Sequence, residues 1–350
     1  MAKNSVDPPH RRYIKVLEPW GGGHVPTDTG FGNRLLHWDA CYILYLVSGA
    51  EHFIDVESRY WNELNLFELP ATRRQGLEHW DEDAQKWLGA FDFDYNKDRI
   101  TRLPQIGNKE VEEFLNTGKL ELPEPRYFVK FDWKYVDKIH KKAEELEIPS
   151  GLKRISLLNK EFKNIIQLFS VNTVGIHLRR GNGVYKSEKN YAELPAKVRK
   201  NKEYANLIDV TIYKYWDDNV YIRLMKEMLE YNPNQRFYIS CDLQNDEYEY
   251  LIDKFPGKII VRSDIIKKLP SSMTEGVFFD KYDCPKRIAL NSVVDMMTLL
   301  HCNYLIGAPF STWLDSILRM KKVPYQTIQE PRDKILADYQ QALKTYNQFI

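Results

Sequence analysis

The sequence predicts an α/β chain of two domains, the second carrying a parallel, doubly wound sheet. Three observations carry this expectation. A chain of 350 residues can build two ordinary cores without disulfide or metal staples. Near its start, an apolar strand, a glycine-rich segment, an apolar helix and a second strand follow one another, the order of an α/β unit. From about residue 174 onward, short apolar runs alternate with helical stretches, and that alternation predicts parallel strands with crossover helices.

The elements follow in order. Tyr13 to Leu17 reads as a strand, and the glycines Gly21 to Gly23 come next. The run Gly30-Phe31-Gly32-Asn33-Arg34 reads as a glycine turn opening a helix from about Leu35 to Ser48, with Asn33 a candidate N-cap. His52 to Val56 is the second strand. Residues 57 to 141 are irregular, rich in tryptophan and charge, with a helical stretch at Asn108 to Leu115. A polar helix near Trp133 to Leu146 leads into Ile148-Pro149-Ser150-Gly151, a hinge signal that sets the expected domains at 1–150 and 151–350. In the second, strands are expected at Val174 to Leu178, Arg236 to Ser240, Lys258 to Val261 and Asn303 to Ile306. Helices are expected at Tyr221 to Tyr231, Asp246 to Phe255, Asn291 to Cys302 and from Thr312.

Charge narrows the function classes. Fifty basic residues against forty-nine acidic ones leave no global footprint for a nucleic-acid partner, so any polyanion site must be local. Cys41, Cys241, Cys284 and Cys302 lack the paired spacing of a zinc site and read as free thiols. The polar start, Met1 to Pro9, and the lack of any run of ~20 apolar residues predict no leader and no membrane span. A cytoplasmic protein, microbial or virus-encoded, is the corresponding expectation.

Five clusters sit where chemistry is expected, beyond the carboxyl ends of strands. In His177-Leu178-Arg179-Arg180-Gly181-Asn182-Gly183 a buried strand opens into a loop with two guanidinium groups and two glycines. Arginine forks bind phosphate oxygens bidentately, and glycines let backbone N–H groups approach an anion. The Gly32-Asn33-Arg34 helix opening would present N–H groups and a partial positive charge to an anion. Asp295 is a lone carboxylate in the apolar run Val293 to Leu300 and needs a specific partner. Guanine offers one, since its N1–H and N2–H groups form a donor pair; a role toward its own helix is the alternative. Ser311 and Thr312 follow a strand end and a proline turn; they can cap the next helix or face a phosphate. Asp242 closes the strand before it, where it could meet a ribose, base or sugar hydroxyl, or cap a loop.

The order Gly-Phe-Gly-Asn-Arg, His-Leu-Arg-Arg-Gly-Asn-Gly, Ser240-Cys241-Asp242, Asp295 and Ser311 resembles the α-1,6-fucosyltransferase and protein O-fucosyltransferase superfamily. The likeness is greatest to the bacterial nodulation-factor fucosyltransferases and covers residues 174 to 318 together with the first glycine loop. It implies a GT-B-like fold, with two Rossmann-like domains whose parallel sheets face across a cleft. It also implies a metal-independent, inverting glycosyltransferase that uses GDP-β-L-fucose as donor, requires no cofactor and takes a glycan hydroxyl as acceptor. By position, the resemblance assigns Arg179 to the donor diphosphate with His177, Arg180 and Asn182 beside it. It assigns Asp295 to guanine, Ser311 and Thr312 to the phosphate turn, Asp242 to the second motif, and Gly32, Asn33 and Arg34 to the first-domain loop. The family often carries an acidic base soon after the arginine loop; Glu188 is the nearest carboxylate here.

Three other readings use the same residues. A metal-dependent transferase would need an Asp-x-Asp cluster at a strand end, and Asp92-Phe93-Asp94 supplies the string without a strand before it. A binding module would keep the nucleotide site and lack the base. A dinucleotide-dependent dehydrogenase would need a different glycine spacing. Trp61, Trp80 and Trp87 could stack on sugar rings or fill a core.

Overall fold

The computed structural model describes residues 13–16, 31–50, 52–55, 67–68, 105–123, 126–129, 131–154, 156–157, 160–178, 218–241, 249–275, 285–308, 311–321, 323–328 and 330–347. The chain divides into two units, Met1–Leu158 with Asp283–Lys286, and Asn159–Tyr282 with Arg287–Ile350.

The first unit runs β1 (Tyr13–Val16), α1 (Phe31–Ser48), β2 (His52–Asp55), β3 (Phe67–Glu68), β4 (Gln105–Ile106), α2 (Asn108–Thr117), β5 (Arg126–Val129), α3 (Val136–Glu145) and β6 (Ser156–Leu157). Four strands make a parallel sheet in the order β2-β1-β5-β4, while β3 and β6 form a separate antiparallel pair. Helix α1 is apolar nearly all round, and every residue from Leu35 to Leu44 is buried. That packing overrides the weak helix propensity of Gly32 and Asn33. The helix therefore starts at Phe31, and Asn33 lies inside its first turn rather than at an N-cap.

A helix buried on all sides must satisfy its polar members internally. Asp39, fully buried, accepts from the Ser150 hydroxyl at 2.8 Å and from the backbone N–H groups of Gly151 at 2.7 Å and Leu152 at 3.3 Å. His140 Nε2 stands 3.2 Å from the same carboxylate. The segment that reads as a hinge is thus a clamped turn within the first unit. Its glycine is required by space: a Cβ on Gly151 would stand 2.6 Å from a Tyr42 ring carbon and 2.8 Å from one of Trp38. Those rings are stacked at 5.4 Å and both pack edge-on against Phe53, so neither can yield. Gly151→Ala should cost ~1–3 kcal/mol by overpacking, read as a lower urea midpoint with an unchanged slope.

His37, on the same helix, stacks on Phe131 with ring centroids 4.8 Å apart, and its Nδ1 lies 3.5 Å from the Cys41 sulfur. Burial first, and nearby His140 second, hold its imidazole down at about 4. The unfolded chain takes up this proton near pH ~6.5, whereas the folded chain refuses it until about pH 4. The unfolded state therefore binds more protons in that window, and stability falls as pH falls through it. The contribution is on the order of 3 kcal/mol. Urea titrations at pH 7 and pH 4.5 should show a smaller loss for His37→Gln than for the parent chain.

The second unit runs α4 (Lys160–Ser170), β7 (Thr173–Leu178), α5 (Asp218–Tyr231), β8 (Arg236–Cys241), α6 (Glu249–Lys254), β9 (Ile259–Val261), α7 (Arg262–Ile266), α8 (Ser271–Thr274), α9 (Pro285–His301), β10 (Tyr304–Gly307), α10 (Thr312–Met320), β11 (Tyr325–Thr327) and α11 (Arg332–Asn347). Five parallel strands lie in the order β11-β10-β7-β8-β9. The first strand in sequence, β7, sits in the middle and is buried along its whole length. The chain winds outward from it through β8 and β9, then returns to lay β10 on its other side. That reversal between β7 and β10 is a topological switch point, whose carboxyl edge is where open α/β sheets bind ligands.

Two glycines let neighbours press onto this sheet. A Cβ on Gly175 would meet Leu299 and Leu305 at 2.6 Å, and one on Gly307 would meet Leu314 at 2.0 Å. At the opposite, amino edge, Gln235 ties the unit together: its amide donates to Asn172 O at 3.0 Å, and its oxygen accepts from the Tyr339 hydroxyl at 2.9 Å. Cys41, Cys241 and Cys302 are buried, and burial pushes the Cys302 thiol far up. Among the described residues no helix is long and apolar enough to cross a membrane.

Candidate functional site

The carboxyl edge of the second sheet gathers side chains from two strands and two helices. His177 is the penultimate residue of β7, buried, and lies in register with Gly307 of β10 across the switch point. Ser240 and Cys241 end β8, Arg262 follows the last residue of β9, and Asp295 projects from α9. Because β7 and β8 are parallel and in register, His177 pairs with Ser240, which places both on one edge.

Asp295 organises this edge. Its Oδ1 accepts from Arg262 Nε at 2.9 Å and from the Tyr238 hydroxyl. Its Oδ2 accepts from Arg262 Nη2 and from the Ser240 hydroxyl at 3.1 Å. A carboxylate offers about four acceptor positions, two on each oxygen, and here the protein's own donors take all four. The arginine contact is the side-on fork that pairs a guanidinium with a carboxylate. Arg262 Nη2 also donates to the Cys241 carbonyl at 2.9 Å, which fastens the guanidinium to the end of β8. The carboxylate expected to face guanine is thus met by an internal donor pair of the same kind.

The network reaches His177. The Ser240 hydroxyl, which donates to Asp295 at 3.1 Å, also lies 3.5 Å from His177 Nδ1.

Ser311 occupies the expected capping position. It is buried, extended in backbone, and its hydroxyl accepts from Leu314 N at 3.5 Å at the start of α10. Thr312 is the first residue of that helix; its side chain lies outside the described residues, as do those of Asn33 and Arg34. Gly32 is buried in the first turn of α1, within the first unit. Arg179, Arg180, Asn182, Glu188 and Asp242 also lie outside the described residues, as do Asp92, Asp94, Cys284 and the tryptophans Trp61, Trp80 and Trp87. Of the expected site residues, the structure therefore brings His177 and Asp295 together through Ser240 and sets Ser311 after the neighbouring strand. Among the described residues no group of three or more His, Cys, Asp or Glu could hold a metal ion.

No protein-family model matches the chain, and no curated protein matches its sequence. Several solved structures are similar to it. NodZ α-1,6-fucosyltransferase soaked with GDP-fucose has a TM-score of 0.40 at 12% identity, covering 89% of this chain and 92% of that one. A mutant of Arabidopsis thaliana FUT1 in complex with GDP has a TM-score of 0.44 at 10% identity, covering 92% and 71% respectively. POFUT1 in complex with GDP-fucose has a TM-score of 0.43 at 8% identity, covering 92% and 99%.

Arg262, Ser240 and Tyr238 are the members of this edge that sequence reasoning passed over as chemistry. Tyr238 and Ser240 alternate on β8 and so share one face of the sheet, a period-2 signal that was available. Arg262 had none, since a single arginine after a three-residue strand matches no motif and its partner lies 33 residues away.

Proposed function

We propose that this chain is a glycosyltransferase that moves a sugar from a guanosine-diphosphate donor to a glycan hydroxyl, with L-fucose the sugar named by the motif order. The observation that carries the proposal is the switch point between β7 and β10. His177 and Gly307 stand opposite each other at its carboxyl edge, and the run Arg179 to Gly183 follows immediately in the chain. A nucleotide on an open parallel sheet is expected at that edge.

The chemistry follows from where charge develops. Breaking the anomeric C–O bond leaves negative charge on the diphosphate and positive character on the ring. In this reading Arg179, with Arg180, Asn182 and glycine N–H groups, neutralises the leaving diphosphate without a metal or cofactor. The start of α10, with Ser311 and Thr312, supplies further N–H donors to the phosphates. Glu188 takes the acceptor's proton as its hydroxyl attacks from the opposite face and inverts the anomeric centre. Asp242 meets a donor hydroxyl, and the motif resemblance assigns Gly32, Asn33 and Arg34 to the donor sugar.

The test is a thermal-shift panel of GDP, UDP, ADP and their sugar conjugates with the full chain. GDP species alone should raise the transition, by the equivalent of ~2.7 kcal/mol at a hundredfold excess over Kd. Transfer should then proceed undiminished in EDTA. Selective stabilisation by UDP species, or a rate restored only by a divalent ion, would overturn the proposal.

A further inference from the structure

We propose that the amino edge of the second sheet, led by the corner between α4 and β7, is a docking surface for an anionic lipid bilayer. The inference does not rest on the nucleotide reading, which concerns the opposite edge of the same sheet.

The first support is where exposed apolar side chains gather. At the amino edge the helices end and the strands begin. Among the described residues of the second unit, the large hydrophobic side chains open to water are Leu168 at 63%, Val171 and Tyr231 at 47% each, and Ile252 at 36%. All four lie in the last turn of a helix or just beyond it, ahead of β7, β8 and β9. Half-buried Ile165 and Phe169 share the face of α4 that carries Leu168, by the spacing of three and four residues that makes helix neighbours.

The second support is the backbone. The last carbonyls of a helix have no partner within it and ordinarily turn to water. At this corner the protein supplies the donors. Arg236 Nη2 donates to Leu168 O at 3.2 Å and to Val171 O at 2.6 Å, the Thr173 hydroxyl to Phe169 O at 2.9 Å, and the Gln235 amide to Asn172 O at 3.0 Å. At the next corner Lys258 Nζ donates to Pro233 O at 2.6 Å. A corner whose carbonyls are met from inside enters a water-poor layer without stranding acceptors there, the condition that lipid imposes on backbone.

The third support is charge. From the last turns of the helices to the strands that follow, the described residues carry Arg236, Lys254, Lys258, Arg319 and Lys321 against Glu230 and Asp253. Burial first, then the charges of Lys321 and Lys163, holds the His301 imidazole below its usual value, so ammonium groups from two further elements face the end of α9. Complementing helix dipoles accounts for cations at helix ends, but not for apolar side chains standing beside them in water. A cationic surface from which apolar side chains protrude complements phosphate headgroups lying above acyl chains. A soluble polyanion would take the cations and leave Leu168 and Val171 in water. Seated on a bilayer by this edge, the sheet holds its carboxyl edge, with His177, about 20 Å away, one six-residue strand length.

Co-flotation of the full chain with vesicles tests the proposal, using phosphatidylcholine alone and phosphatidylcholine with about one-third phosphatidylglycerol. Partitioning onto the mixed vesicles should exceed that onto the neutral ones at least about tenfold, and ~1 M salt should remove most of the difference. Leu168→Ser combined with Val171→Ser should lower it at least about tenfold, and Lys254→Gln and Lys321→Gln about fivefold each. Leu146→Ser, at an exposed leucine of the first unit, should partition as the parent does. All five substitutions fall on exposed side chains, and unchanged urea midpoints verify that the variants are folded.

The inference is overturned if the parent chain shows no preference for the anionic vesicles, a result that needs no variant. It is overturned as well if the folded serine pair and the glutamine variants partition like the parent, or if Leu146→Ser weakens binding as much as the serine pair. Sedimentation velocity covers the other occupants. Self-association that the serine pair disperses, in a chain that ignores vesicles, assigns the edge to a second copy and removes the bilayer. Heparin binding that the serine pair leaves intact, again without vesicle binding, assigns it to a soluble polyanion. A chain that binds anionic vesicles but no GDP species removes the nucleotide reading alone.

Discussion

Asp295→Ala should lower the stability of the second unit by ~3–5 kcal/mol, toward the lower end of that range. The substitution withdraws the acceptor from Tyr238, Ser240 and both fork nitrogens of Arg262 at once. Tyr238 and Ser240 have no access to water, so they bear the desolvation penalty of unmade hydrogen bonds. Arg262 retains 16% exposure and recovers part of its solvation, which moderates the loss. Asp295→Asn keeps the volume and one acceptor oxygen and should cost less. Urea unfolding followed by tryptophan fluorescence and far-UV dichroism reads the difference. An alanine variant within half a kilocalorie of the parent would show that the network carries little of the fold.

Arg179→Ala should cut turnover by ~10²–10³ while leaving the unfolding midpoint unchanged. Charge on the departing diphosphate is greater in the transition state than in the bound donor, so its stabilisation appears in kcat more than in KM. The expected signature is therefore a large loss in kcat with a smaller change in the affinity for GDP. Arg180→Ala serves as the neighbouring control and should cost less. Near-parent turnover in the Arg179 variant would remove it from the reaction.

The central strands were legible in the sequence because a strand buried on both faces is apolar along most of its length, as in Val174–Ile176 and Tyr304–Gly307. Asp295 was legible for the complementary reason, a single carboxylate in an apolar helix. Its partner was not, because a tertiary contact across 33 residues leaves no local pattern. The strands β4 and β5 went unread because they are short and set among charged and aromatic residues that suppress any period. The opening of α1 was placed too late: Gly32 and Asn33 favour a turn locally, and only the burial of Leu35 through Leu44 decides for the helix.

The Asp39 clamp also bears on how the chain is made. Its carboxylate waits for Ser150 and Gly151, 111 and 112 residues downstream. At a synthesis rate of ~5–20 residues per second, that is roughly 6–22 s during which the nascent Phe31–Ser48 segment has left the ribosome without its native acceptors satisfied. A segment so apolar is a natural client for a holding chaperone over that interval.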